Sequence, residues 1–305
     1  MTIGVIIVTH NAVNMLKKCV SSLLKANKSV KILVTNSSSN DGTIEIAEKL
    51  GLNTYVFPRN EFNHGVTREK ARKIIGTDIV VMITPDAIPL ENDLIEKLTE
   101  PLQKNNVAVS YARQIPHDGA PVLESFPRQF NYPNKSTIRS LNEVNKFGVQ
   151  LFQCSNSCAA WSNYALDEIG GFKSTLTNED YFACAELLIK GYSIAYVSDA
   201  IVKHSHSYNL TGEFQRMFDT GYVRSERPWI NDKVGSPSKV GSKYFKSLMK
   251  ELFLKSPKLI PYAFIQTVVK YLGYKFGYFS LQLPTWFKKV CSGQKYYWSS
   301  KYYMG

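Results

Sequence analysis

Residues Ile79 to Pro89, reading Ile-Val-Val-Met-Ile-Thr-Pro-Asp-Ala-Ile-Pro, restrict the fold more than any other stretch of the chain. Five consecutive apolar residues, Ile79 to Ile83, are too few for a helix and rich in β-branched side chains, which predicts a strand buried on both faces. Pro85 has no amide hydrogen to give a sheet ladder, so the chain leaves the sheet at Thr84-Pro85 and presents Asp86 at the strand's carboxyl end. In an open parallel α/β sheet, that end is where ligands bind. A carboxylate there is either a turn residue or a ligand for a divalent cation that carries a phosphate-bearing substrate.

The residues before it repeat the pattern. Ile3 to Val8 is a second short apolar run, ended by Thr9-His10-Asn11, and Val13, Leu16, Val20, Leu23 and Leu24 then recur at helical spacing. Val30 to Thr35 predicts the next strand, Asn36 to Thr43 a polar loop containing Asp41, Thr43 to Leu50 a short helix, and Thr54 to Phe57 a third strand. Strands alternating with helices in this order indicate a Rossmann-like α/β half. Phe62-Asn63-His64-Gly65-Val66-Thr67-Arg68 opens a helix that runs to about Ile75. Gly65 permits close backbone approach, and a helix start favours an anion. Arg68 sits in the first turn, where the helix dipole disfavours a cation. It is either a solvated surface arginine or paired with a negative group, a diphosphate or the neighbourhood of Glu69.

After Asp86, Leu90 to Leu102 reads as a helix and Val107 to Arg113 as a strand, whereas Gln114 to Phe147 has weak periodicity and several prolines and reads as an irregular excursion. Phe152 to Trp161 reads as an apolar strand region near the domain centre. Thr177-Asn178-Glu179-Asp180-Tyr181 opens a helix that Gly191 stops. Acidic residues at a helix start are explained by capping alone; the functional alternative makes Asp180 a general base, with a pKa kept low by the helix. Ile194 to Val197 predicts a last strand, which Ile201 and Val202 continue toward His204-Ser205-His206. Histidines two apart on an extended chain face the same side and can share a metal or a hydrogen-bond network.

The net charge of +12 is concentrated at one end. Residues 241–305 hold 11 Lys, no Arg and a single acidic residue, Glu251, together with 17 of the 38 aromatic residues. Attraction to a polyanion or an anionic membrane therefore belongs to this tail. Its apolar residues fall near helical spacing between Leu252 and Trp286, and no run is long enough to span a bilayer. Such a segment suits the interface of an anionic membrane, a helical cap on the domain, or a contact in a homo-oligomer. Five scattered cysteines without a Cys-x-x-Cys pair argue against a disulfide framework and a structural zinc site. Met1 to Thr9 has no signal-peptide pattern, so a cytoplasmic catalytic part is expected.

Taken together and in this order, the motifs from Thr2 to Asn209 resemble the family 2 glycosyltransferases, inverting nucleotide-sugar transferases with an A-type fold. Thr84-Pro85-Asp86-Ala87 and Phe62-Asn63-His64-Gly65 resemble the bacterial rhamnosyltransferase branch. The resemblance implies an α/β, Rossmann-like catalytic domain over residues 1–210 and a mainly helical, basic C-terminal region over 211–305. It implies that Asp86 and His204 hold a divalent cation, Mg²⁺ or Mn²⁺, and that Glu179-Asp180 is the acceptor-activating pair with Asp180 as base. Thr9, Asn11, Asn36, Asp41, His64, Gly65, Arg68 and Asp86 would then place the nucleotide. The implied donor is dTDP-L-rhamnose, with UDP-sugars as the nearest competitors. A membrane-docked tail would fit a lipid-linked saccharide acceptor, as used for bacterial O-antigen or capsule assembly, at the inner face of the cell membrane. Two positions depart from the family pattern: Asn36 stands where an aspartate usually contacts the base, and Thr84 replaces the first aspartate of the metal motif. A nucleic-acid-binding protein using the aromatic tail would leave Asp86, Asp180 and His204 without a role. A nucleotidyltransferase would need a glycine-rich phosphate loop, and Thr9 to Leu16 has no glycine.

Overall fold

In the computed structural model, which describes residues 1–26, 30–104, 106–235 and 238–303, the short apolar runs are strands and the periodic segments between them are helices. The first half runs β1 (Ile3–Thr9), α1 (Val13–Ala26), β2 (Lys31–Asn36), α2 (Thr43–Lys49), β3 (Asn53–Val56), α3 (His64–Ile75) and β4 (Ile79–Ile83). It continues with β5 (Ile88–Pro89), α4 (Leu94–Thr99), β6 (Val107–Ile115), α5 (Val122–Asn131), β7 (Thr137–Arg139), α6 (Val144–Phe147), β8 (Cys158–Ser162) and α7 (Asn163–Glu168). The last part is α8 (Glu179–Ile189), β9 (Ser193–Lys203), α9 (Leu210–Ser225), α10 (Pro228–Val234), α11 (Ser238–Lys255), α12 (Ile260–Tyr278) and α13 (Thr285–Cys291).

The strands form one sheet in the order β3-β2-β1-β4-β8-β6-β9-β5, with β7 also pairing β9. β1 to β4 are mutually parallel, β8 runs antiparallel between β4 and β6, and β6 and β9 run parallel to each other. The reversal at β8 therefore returns β6 and β9 to the direction of β4. The carboxyl ends of β1, β2, β4, β6 and β9 all lie at one edge, and the amino end of β8 joins them there. β4 is completely buried, as its unbroken apolar run requires. On one face of the sheet Val5, Ile7, Val81 and Ile83 pack with α1, α2 and α4; on the other Ile6, Val80 and Met82 pack with α7, α8 and α9.

Three expectations are corrected. The helix expected over Leu90 to Leu102 begins only at Leu94, because Ile88–Pro89 first pairs with the end of β9. The strand expected over Phe152 to Trp161 is confined to Cys158–Ser162, because Ser155 and Asn156 hydrogen-bond to site residues instead of a strand ladder. The excursion from Gln114 to Phe147 contains α5 and β7. α5 survives Pro127 in its interior because Phe126 and Phe130 pack against Tyr244 and Leu248 of α11.

The C-terminal region is helical, as expected, and it is not a loose appendage. Phe218, Tyr222 and Val223 of α9 and the later residues Tyr297 and Trp298 join the same core cluster as Val80 and Trp161. Arg59 lies 5.0 Å from the Phe62 ring and 4.9 Å from the Tyr296 ring, which ties the end of the chain to the start of α3.

Candidate active site

The residues singled out at strand ends meet at the carboxyl edge, in two groups. The first is built on β1 and β2. Thr9 Oγ1 donates to the Thr35 carbonyl at 3.2 Å and accepts from Asn36 Nδ2 at 2.9 Å. Asn36 is fully buried; its amide also donates to Ser39 Oγ at 2.8 Å, and its Oδ1 accepts from the Ser39 amide at 2.8 Å. Asn11 adopts a left-handed backbone (φ 47°), and its Oδ1 accepts from the Asn40 amide at 3.1 Å. Asp41 accepts from the Val13 amide at the start of α1 and from the Thr43 amide at the start of α2, both at 3.1 Å. Slight burial opposes ionisation of Asp41, but these bonds and that from the Thr43 hydroxyl hold its pKa below the usual carboxylate value.

The start of α3 is capped by Asn63, whose Oδ1 accepts from the Gly65 and Val66 amides at 3.1 Å each. Asn63 Nδ2 donates to the Thr175 carbonyl at 3.1 Å, so this turn docks on the loop that leads into α8. Gly65 is required by that docking: a Cβ there would lie 1.8 Å from the Lys173 carbonyl oxygen. The close approach expected at Gly65 is thus made by the protein's own backbone. His64 packs edge-on to Phe62, and burial pushes its pKa down to about 4, so the ring is neutral at pH 7. The negative partner of Arg68 is neither a surface group nor Glu69. The arginine is 5% exposed, pairs with Glu179 Oε1 at 3.1 Å and donates to the His64 carbonyl at 3.0 Å.

The second group is built on α8, β4, β6 and β9. Glu179 is turned inward, held by Arg68 and by Asn156 Nδ2, which donates at 3.0 Å. Burial opposes its ionisation, yet the Arg68 charge lowers its pKa, so it is a fixed negative charge. Asp180 is half-buried beside it, and its Oδ2 accepts from the Asn156 amide at 2.9 Å. The low pKa expected of a carboxylate at a helix start is overturned. Burial and the adjacent Glu179 charge push Asp180 up to about 7, although the Asn156 and Tyr181 amides pull the other way.

At the ends of β4 and β9, Asp86 Oδ2 lies 3.4 Å from His204 Nε2 and 3.3 Å from His206 Nε2, and the two Nε2 atoms are 3.0 Å apart. His204 Nδ1 faces Gln114 Oε1 at 2.9 Å, and that oxygen is identified by Arg128, which can only donate, at 2.6 Å. Nδ1 of His204 therefore carries a proton, and its Nε2 faces Asp86. Burial opposes ionisation of Asp86, but the hydrogen bond and charge of His204 hold it well below the usual carboxylate range. Burial and the neighbouring His204 lower the His206 pKa, which keeps this second imidazole available as a ligand. An anionic oxygen and two imidazole nitrogens converging in this way fit a small divalent cation, and the Gln114 hydrogen bond fixes the orientation of the buried His204 ring.

One short segment joins these parts. Ser155 Oγ accepts from Gln114 Nε2 at 2.9 Å, Asn156 bonds both acids, and the Ser157 carbonyl accepts from the Thr84 amide at 3.1 Å. Asn156 is itself fixed by Trp161 Nε1, which donates to its Oδ1 at 2.8 Å. Sequence reasoning passed over Gln114, Arg128 and Asn156, whose partners are distant in the chain. His206 was visible as half of the His-x-His pair.

Glycosyl transferase family 2 matches residues 4–170. The chain is 36% identical over 92% of its length to the O-antigen chain rhamnosyltransferase WbaN of Salmonella anatum, covering 89% of that protein. It is 34% identical over 99% of its length to the O-antigen chain rhamnosyltransferase RfbN of Salmonella typhimurium, covering 98% of it. Among solved structures, the mannosyltransferase PcManGT from Pyrobaculum calidifontis in complex with GDP-Man and Mn²⁺ matches at a TM-score of 0.63 with 13% identity, over 92% of this chain and 88% of that one. S. aureus TarS 1-349 in complex with UDP-GlcNAc matches at a TM-score of 0.56 with 13% identity, over 92% and 91%.

Proposed function

The chain belongs to glycosyl transferase family 2, and on that premise we propose that it transfers L-rhamnose from dTDP-L-rhamnose to a hydroxyl of a lipid-linked saccharide, with inversion, in O-antigen assembly. The observation that carries this reading is the joint presence of the Asp86–His204–His206 set and the Asp180 carboxylate at one sheet edge, in a chain related over nearly its whole length to two O-antigen rhamnosyltransferases. The same reading puts the enzyme at the inner face of the cell membrane, where a lipid-linked acceptor is presented.

Asp86, His204 and His206 would hold the cation. When bound, a divalent ion offsets charge on a donor diphosphate as the leaving oxygen takes up electrons. Asp180 removes the acceptor hydroxyl proton while that oxygen bonds to the anomeric carbon and the bond to the diphosphate breaks. Attack from the side opposite the leaving group inverts the anomeric centre. A pKa near 7 suits the task, because the base is substantially ionised at neutral pH and still basic enough to accept the proton. Glu179 acts through its charge, raising Asp180 while Arg68 keeps Glu179 itself ionised. Thr9, Asn11, Asn36, Asp41, His64 and Gly65 shape the nucleotide site, with Asn36 and Asp41 holding its loop in form.

Calorimetric titration with dTDP and UDP, with and without Mn²⁺, tests the donor reading. Asp86→Ala weakens metal-dependent nucleotide binding by about tenfold or more. Failure of both nucleotides to bind under every condition contradicts the reading.

A further inference from the structure

α12 is apolar on two sides, and among the described residues only one of them is covered. Its inner face meets α9 through Gln266, Gly273 and Gly277, all buried, while the buried Ala263 packs with Leu248 and Leu252 of α11. The two backbones nearly touch: a Cβ at Gly277 would lie 2.0 Å from the Phe218 carbonyl oxygen, and one at Gly221 would lie 2.1 Å from that of Tyr274. Lys270 on this side reaches Glu213 at 3.0 Å, so its charge is paired. The outer side, where a helix facing water would be polar, presents Ile265, Val268, Leu272, Phe276 and Phe279, each 40% to 69% exposed. The next helix, α13, exposes Trp286 to 68%.

Charge decides between a second copy of the chain and a lipid surface. Lys275 lies in the same stretch, 5.8 Å from the Tyr271 ring and 5.7 Å from the Phe279 ring. Lys289 follows on α13 and is exposed. Residues 241–305 contain 11 Lys and a single acid, Glu251, which already pairs with Lys255 at 2.6 Å. Two such faces pressed together would bring like charges into contact, whereas an anionic bilayer surface satisfies the apolar stripe and the lysines at once. Among the described residues no helix is long and apolar enough to cross a membrane.

We propose that the outer face of α12, extended by Trp286, is a docking surface for an anionic lipid bilayer, with the helix lying in the plane of the interface. The proposal deepens the lipid-linked-acceptor reading and rests on it for its purpose. α12 is fastened to α9, and Phe218 and Tyr222 of α9 share the core of the catalytic sheet. Docking therefore fixes the orientation of the catalytic sheet relative to the surface that presents the acceptor.

Flotation of the full chain with vesicles tests it. The chain floats with vesicles of phosphatidylglycerol and phosphatidylcholine, not with phosphatidylcholine alone, and rising salt releases it. Combining Ile265→Ser, Phe279→Ser and Trp286→Ser weakens binding about tenfold or more while leaving the melting temperature and dTDP binding unchanged. Lys275→Glu with Lys289→Glu, which keeps the apolar stripe, abolishes the preference for the anionic vesicles. Wild-type chain that ignores anionic vesicles, or a triple variant that binds them as well as wild type, overturns the proposal. So does a dimer, seen by ultracentrifugation, that the triple variant abolishes. Retention of single-stranded DNA at high salt by a chain that ignores vesicles overturns it as well. Loss of nucleotide binding by a wild-type chain that floats normally would count against the transferase reading and leave docking standing.

Discussion

On the β1–β2 side of the carboxyl edge, Thr9, Asn11, Asn36 and Asp41 find hydrogen-bond partners within their own loops. On the β4–β9 side the balance is different: Asp86, His204 and His206 direct ligand atoms at one another, and Asp180 is held next to a second negative charge. The first side is assembled before any ligand arrives, and the second keeps electrostatic demand that a cation and an acceptor proton can meet. Substitutions should therefore act through chemistry on one side and through folding on the other.

The largest effect is expected at Asp180. Asp180→Asn lowers turnover by about a thousandfold while dTDP binding is kept, read by single-turnover assay and calorimetry. Gln114→Ala comes next: with His204 no longer oriented, Mn²⁺-dependent nucleotide binding weakens by roughly tenfold, and saturating metal restores most of it. The smallest effect on turnover falls on the other side. Asp41→Ala leaves two helix starts uncapped and costs about 1 kcal/mol of stability in denaturant unfolding, with turnover little changed. An Asp41 variant as inactive as Asp180→Asn would break the division.

The same division marks what the sequence made legible. β1, β2 and β4 follow from short apolar runs, and Asp86 and His204 follow from their places at strand ends. α5 was illegible because Pro127 and weak periodicity hide a helix whose apolar face is completed by α11, more than a hundred residues later. Asn156 was illegible for a related reason: a lone amide in a loop gains its role only from Glu179 and Asp180, which folding brings to it across 23 and 24 residues. The raised pKa of Asp180 depends on burial and on the direction in which Glu179 points, and neither can be read from a helix start. Arg68 was recognised as misplaced for its helix, and the structure supplied the partner.

The most direct test of the account is the pH dependence of kcat/KM at saturating Mn²⁺. Asp180 must be ionised to accept a proton, and its burial beside Glu179 raises the pH at which it ionises. Activity is thus predicted to climb through a pKa of about 7 and then level off. A profile already flat from about pH 5 upward would show a base with an ordinary carboxylate pKa and contradict the central claim.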